Sequence, residues 1–278
     1  MYRLTIFCFF VANLIGCAHV PCKPSQLQKL EGNIYYEEMC TNNNETAHVV
    51  TVDPDSVTLK LVKAQGEPSL QKVSTLAQSH NALLAINGGF FHADGKPAGA
   101  LKIDGKWIAK PANNRGFVGW GFPNNANFVF DRAKKNMGLI ESVFNSKPWW
   151  EDAQNVVGGI PLLLLNGEKV SVKEEKTLED FLTNKYARTA ICSTKNNLIK
   201  LVVIDGGDRK SYGLGLKSGM SIDELSDFLL NIGCENALNL DGGYSSTMVK
   251  KGVVINSYAL NFLPERSVSD AILVIPKK

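Results

Sequence analysis

The chain lacks the spacings that announce a metal or nucleotide site. Its four histidines, His19, His48, His80 and His92, show no HxxH or HExxH pattern, and no CxxC pair is present, which argues against a zinc centre. There is no GxxxxGK[ST] phosphate loop, and Gly213, Gly215 and Gly219 have the wrong spacing for a dinucleotide fingerprint, so they are read as shaping a loop. No GxSxG elbow surrounds Ser245, Ser246 or Thr247, which speaks against a serine hydrolase. An excess of one charge is missing too: 30 basic residues face 27 acidic ones, and the net +3 is too weak and dispersed for nucleic acid or an acidic membrane surface. No apolar run is long enough to span a bilayer.

What remains is an ordinary globular composition over 278 residues, 44% apolar and 21% charged, enough for a sizeable core. After Met1-Tyr2-Arg3, the run Leu4 to Ile15 has the length of a secretory h-region. It ends in Leu14-Ile15-Gly16-Cys17, which resembles a bacterial lipobox; plain cleavage near Ala18 is the other reading. Residues 1–16 are thus expected to be a lipoprotein signal peptide, with Cys17 diacylated, 17–32 a polar tether containing Pro21 and Pro24, and 33–278 a single domain. Cys22, Cys40, Cys192 and Cys234 are left in an oxidising setting. They allow three pairings, of which Cys22 with Cys40 and Cys192 with Cys234 is the simplest.

Asn33 to Glu38, Ala47 to Val52 and Val57 to Lys63 read as opening strands separated by polar turns. Val73, Leu76, Ala77 and His80 form a short helical stripe before the apolar strand Ala82 to Ile86. Asp104-Gly105 and Asn166-Gly167 mark hairpins. The clearest helix is Ser221 to Ile232: Ser221 and Glu224 have capping-box spacing, Leu225, Phe228, Leu229 and Ile232 form the stripe, and Gly233 is the stop. With strands Leu198 to Ile204, Ala237 to Leu240 and Ala271 to Ile275, the expected class is α+β, mixed β-sheets with a few packed helices.

Three strands end alike: Leu84-Ala85-Ile86 runs into Asn87-Gly88-Gly89, Val202-Val203-Ile204 into Asp205-Gly206-Gly207, and Leu238-Asn239-Leu240 into Asp241-Gly242-Gly243. One such motif is a tight turn. Three point to turns that line one polar pocket, where glycines admit a ligand to the backbone and an acid or amide sits on a rigid strand end. Arginine is scarce, six in all, so Arg188 beside Thr189 and Arg266 beside Glu265 stand out, with surface ion pairing as the plain alternative. Trp149-Trp150 reads as core or rim before it reads as a sugar platform.

Taken together, Asn87 to Phe91, Gly99 to Gly105, Gly158 to Gly167, Ala187 to Ile191, Asp205-Gly206, Gly219 to Leu230, Asn236 to Thr247 and Arg266 to Val274 resemble the phosphodiester glycosidase family. Each block alone is weak; their order and spacing carry the likeness. The resemblance implies an α+β domain with a pocket for an amino-sugar phosphodiester, built from the [ND]GG turns and the Arg188-Thr189 strand. Three positions depart from the family pattern: Tyr244 replaces a third glycine, Cys192 replaces a glycine, and Gly207 stands where a larger polar residue is common.

The expected function is an exported envelope hydrolase, periplasmic or anchored at the outer membrane, that splits the C1–O bond of a sugar-1-phosphodiester. The alternative is a lipoprotein that binds a phosphoglycan or exopolysaccharide without turnover. A phosphate leaving group needs little protonation, so the chemistry requires a carboxylate at the oxocarbenium-like carbon and positive charge at the phosphate. Asp241 is assigned to the carbon, with Asp205 as partner or reserve; Arg188 and Arg266 are assigned to phosphate through paired donors. Asn87 is expected to orient sugar hydroxyl or acetamido groups. Gly88, Gly89, Gly206, Gly242 and Gly243 give backbone approach, and Thr189, Ser245 and Ser246 polar contacts. No cofactor or metal is required, although the turn Asp and Asn side chains are hard oxygen donors suited to Ca²⁺. The expected partners are the sugar-phosphate substrate and, through the lipid on Cys17, a membrane, without nucleic acid.

Overall fold

A computed structural model describes residues 22–42, 44–123, 127–137, 139–145, 148–175, 177–208, 217–257 and 264–277. Cys17, the hydrophobic segment before it, Gly213 and Gly215 lie outside these residues. The architecture is mostly β. Three larger sheets form: an eight-stranded one, a six-stranded one and a five-stranded one. Mixed sheets were expected, but every strand pairing among the described residues is antiparallel.

The opening strands lie close to the expected places, at Ile34–Cys40, Thr46–Val52 and Val57–Lys63. The first two join Ile199–Ile204, Arg188–Thr194 and Cys234–Asn239 in the eight-stranded sheet; Val57–Lys63 instead pairs with Asp270–Pro276, which lies beside Leu84–Asn87 in the five-stranded sheet. One core is shared by the three large sheets, with Val50, Ile191, Leu201 and Leu238 meeting Leu61, Ile86 and Ile272, and Val118 and Val157 from the six-stranded sheet. The outer faces are covered by helices. α1, Val73–Ser79, lays Val73, Leu76 and Ala77 on the back of the five-stranded sheet. A second short helix, α2, spans Glu179–Thr183. α3, Ile222–Asn231, puts Leu225 and Leu229 on Val49, Ala190 and Val202 of the eight-stranded sheet. Where α1 and α3 cover the sheets, central strands such as Leu84–Asn87 and Arg188–Thr194 are buried on both faces, whereas Ile34–Cys40 and Val57–Lys63 keep an alternating pattern.

The local signals hold in detail. Ser221 caps α3 with both bonds of the capping box, and Gly233 follows at φ +84°. Asp104-Gly105 and Asn166-Gly167 both take positive φ at both residues, the type I′ hairpin turn. The return strand after Asn166-Gly167 is short, Glu168–Lys169. Disulfides join Cys22 to Cys40 and Cys192 to Cys234, the adjacent pairing. Such bonds belong to a protein of an oxidising compartment. Cys192, one of the departures from the family pattern, is thereby accounted for by its partner on the neighbouring strand. Within the segment expected as a tether, residues from Cys22 onward run along the first sheet: besides the disulfide, Ser25 exchanges bonds with Glu38, and Gln28–Lys29 pairs with Tyr36 and Tyr35. Among the described residues no helix is long and apolar enough to cross a membrane.

Candidate active site

The first and third [ND]GG turns are sewn together. Beyond strand Cys234–Asn239 the ladder continues by one bond, Leu240 N–H to the Thr189 carbonyl at 2.8 Å, which carries Asp241 to the end of the Arg188 strand. The Asp241 N–H then donates to the Gly88 carbonyl at 3.2 Å, and Asn87 Nδ2 donates to the Asp241 carbonyl at 2.8 Å. The second turn joins from the side. Asp205 Oδ1 accepts the Ser257 N–H at 2.8 Å, while the neighbouring Asn256 Nδ2 donates to the Ser246 carbonyl at 2.9 Å, next to the third turn.

Asp241 is the chemically distinctive group. Burial raises its carboxyl to about 6, while a bond from Ser245, the Arg266 charge and the Gly242 N–H pull the other way. The fully buried Ser245 hydroxyl also accepts from Arg266 Nη1 at 3.0 Å, so a chain Arg266–Ser245–Asp241 ties the cation to the acid. Arg266 itself is exposed and lies over the Phe91 ring, 5.1 Å from its centroid. Glu265 is not its ion-pair partner: that carboxylate accepts from the Ser74 N–H at 2.9 Å, filling an N-terminal donor of α1, whose own first turn has no acid.

Several residues expected to touch substrate belong to the frame instead. Asn87 is completely buried and fully used: Oδ1 accepts from Thr189 Oγ1 at 2.8 Å and Thr247 N at 3.1 Å, and Nδ2 donates to the Gly88 and Asp241 carbonyls. It has nothing left for a sugar hydroxyl. Thr189 is spent in the same knot. Arg188 is also completely buried, its Nε on the Met220 carbonyl and its Nη2 on those of Phe181 and Asn184. The paired fork expected for phosphate is therefore occupied, and among the described residues only Nη1 has no partner. Burial lowers this guanidinium to about 10, against the smaller raising effects of Tyr186 and Glu224.

The glycines likewise serve packing first. A Cβ on Gly88 would stand 2.0 Å from Asp270 Oδ1, one on Gly89 2.7 Å from the Gly158 carbonyl, and one on Gly242 2.9 Å from the Ala187 carbonyl. A Cβ on Gly243, at φ +60°, would meet open space. Ser246 is buried, and its hydroxyl has no partner among the described residues. Trp149 and Trp150 pack against Phe117, and Trp149 Nε1 donates to the buried Asp131 at 2.8 Å, so this pair is core.

Residue-by-residue reading missed Asp270. It opens strand Asp270–Pro276 opposite Lys63, is fully buried, and accepts the Gly89 N–H at 2.9 Å. Burial raises its carboxyl to about 6, to which the Asp241 charge makes a smaller addition. A lone acid at the start of an apolar strand was its only sequence signal.

The phosphodiester glycosidase family matches residues 80–275, and the chain belongs to it. It is 26% identical over 197 residues to the N-acetylglucosamine-1-phosphodiester alpha-N-acetylglucosaminidase of Bos taurus, covering 66% of this chain and 34% of that protein. It is likewise 26% identical over 212 residues to the SPbeta prophage-derived uncharacterized protein YomE of Bacillus subtilis, covering 75% of this chain and 30% of that one. The chain thus spans about a third of the length of these relatives. In fold it is similar to the catalytic domain of the zebrafish N-acetylglucosamine-1-phosphodiester alpha-N-acetylglucosaminidase auto-inhibited by its pro-peptide. That likeness has a TM-score of 0.66 at 22% identity, over 93% of this chain and 89% of that one. A hypothetical protein from Synechocystis gives a TM-score of 0.67 at 19% identity, over 88% and 62%.

Proposed function

We propose that this chain is an envelope hydrolase that splits the C1–O bond of a sugar-1-phosphodiester, with an amino sugar such as N-acetylglucosamine, into free sugar and a phosphomonoester. The observation that carries this reading is Asp241: an acid on a strand end, tied through Ser245 to an exposed arginine, within a family of phosphodiester glycosidases. In this reading the three turns line one polar pocket. Asp241, ionised above about pH 6, supports the positive anomeric carbon as nucleophile or as base for water, with Asp205 as its partner. Arg266 takes the phosphate, and the Gly243 turn supplies backbone contacts. The described residues from Cys22 onward act as one domain, and the lipid on Cys17 holds it at a membrane.

The test is a panel of sugar-1-phosphodiesters offered to the purified domain, read by phosphomonoester release. Turnover supports the hydrolase. Tight binding without release would favour the alternative, a lipoprotein that retains a phosphoglycan.

A further inference from the structure

Asp205 sits at the end of a buried chain of hydrogen bonds that crosses three strands. Its Oδ1 lies 3.1 Å from His48 Nε2; His48 Nδ1 lies 2.8 Å from the Tyr36 hydroxyl; and Tyr36 lies 2.7 Å from Glu38 Oε1. Tyr36 and His48 are buried, with rings near parallel, and Glu38 stands opposite His48 in the strand pairing. The other charge facing this group is Lys250, whose Nζ lies 3.8 Å from the centre of the Tyr36 ring.

Proton counting gives it a meaning. Three contacts need three hydrogens. Carboxylates accept only, and Asp205 Oδ1 already accepts the Ser257 N–H. Burial and the adjacent Glu38 keep Tyr36 a phenol, which supplies one hydrogen, to Glu38. The other two must both come from the His48 ring. A neutral imidazole leaves one contact without a hydrogen, two acceptors face to face in a buried site.

We propose that His48 is a positioning residue for Asp205, held doubly protonated between Asp205 and Tyr36, so that Asp205 enters the site as a fixed, ionised carboxylate and not as a proton donor. The role in turnover rests on reading Asp205 as a site residue; the protonation state does not. A neutral glutamine at 48 still donates one N–H to Asp205 but carries no titrating proton.

The experiment has two parts. First, long-range ¹H–¹⁵N correlation spectra of the histidine-labelled protein report both ring nitrogens. His48 is assigned by His48→Gln or, should that variant not fold, by elimination with His19→Gln, His80→Gln and His92→Gln. At pH 7.5 both His48 nitrogens should be protonated, and Asp205→Asn should return the ring to a single neutral tautomer. Second, kcat on a sugar-1-phosphodiester should fall on the alkaline side at the pH where His48 loses its second ring proton, and that limb should vanish in His48→Gln. A neutral His48 at pH 7.5, or a His48→Gln profile that superimposes on the wild type, overturns the inference. Turnover with a neutral His48 leaves the enzymatic reading standing. An imidazolium that depends on Asp205 but comes without turnover supports the pairing and overturns the enzymatic reading.

Discussion

Burial works against the charge that the proposed role of Asp241 requires, and on that proposal it sets the pH at which the site works. With the carboxyl raised to about 6, a role as nucleophile or base requires activity to rise through that pH, so the acid limb of kcat/KM should have its midpoint about 6. A limb near 4 would mean that an unperturbed acid is responsible. Asp270 makes a separate statement about stability. Its carboxyl is also raised to about 6, so the protonated form stabilises the fold in acid, fully below about pH 4, and that contribution is lost as pH rises through about 6. Asp270→Asn keeps an oxygen for the Gly89 N–H but removes the titration. Its urea midpoint should therefore lose less than the wild type between pH 5 and 7.5, the remaining loss belonging to Asp241 and to Glu175, whose carboxyl burial raises to about 7. Equal losses would contradict the buried acid at 270.

At the scale of elements, the turns and caps were legible because each is local. Ser221 and Glu224 are three residues apart, and the bonds they make are with each other's backbone. Ser221→Ala should cost about 1 kcal/mol in unfolding free energy, read by denaturant titration, with no effect on the ligand. The three strand-to-turn motifs were legible as a pattern for the same reason. What they do was not, because it depends on partners far along the chain: Asn87 meets Thr189 and Thr247, Gly88 makes room for Asp270, and Arg188 is filled by carbonyls of residues 181, 184 and 220. A side chain that looks free in a string of letters is in these cases consumed by a strand brought beside it. His48 was passed over on the same ground, since its link to Asp205 spans 157 positions.

The molecule as a whole is built of antiparallel sheets that bring strand ends from distant parts of the sequence together. The class was expected as α+β with mixed sheets, whereas the fold is mostly β; several strands and a few helices were readable from turn and cap signals. Sheet order was not, since nothing local places Asp270–Pro276 between Val57–Lys63 and Leu84–Asn87. The proposed attachment to a membrane rests on the N-terminal segment alone. Cys17→Ser should abolish lipid labelling and leave the protein unprocessed or released, as seen by fractionation; a variant still cut at the same bond and held in the membrane would remove the lipobox. The catalytic proposal stands or falls on Asp241. In phosphomonoester release from a sugar-1-phosphodiester, the folded Asp241→Asn protein should lose at least ~100-fold in kcat. Near-normal release by that folded variant would contradict the assignment of Asp241 to the chemistry and turn attention to Asp205.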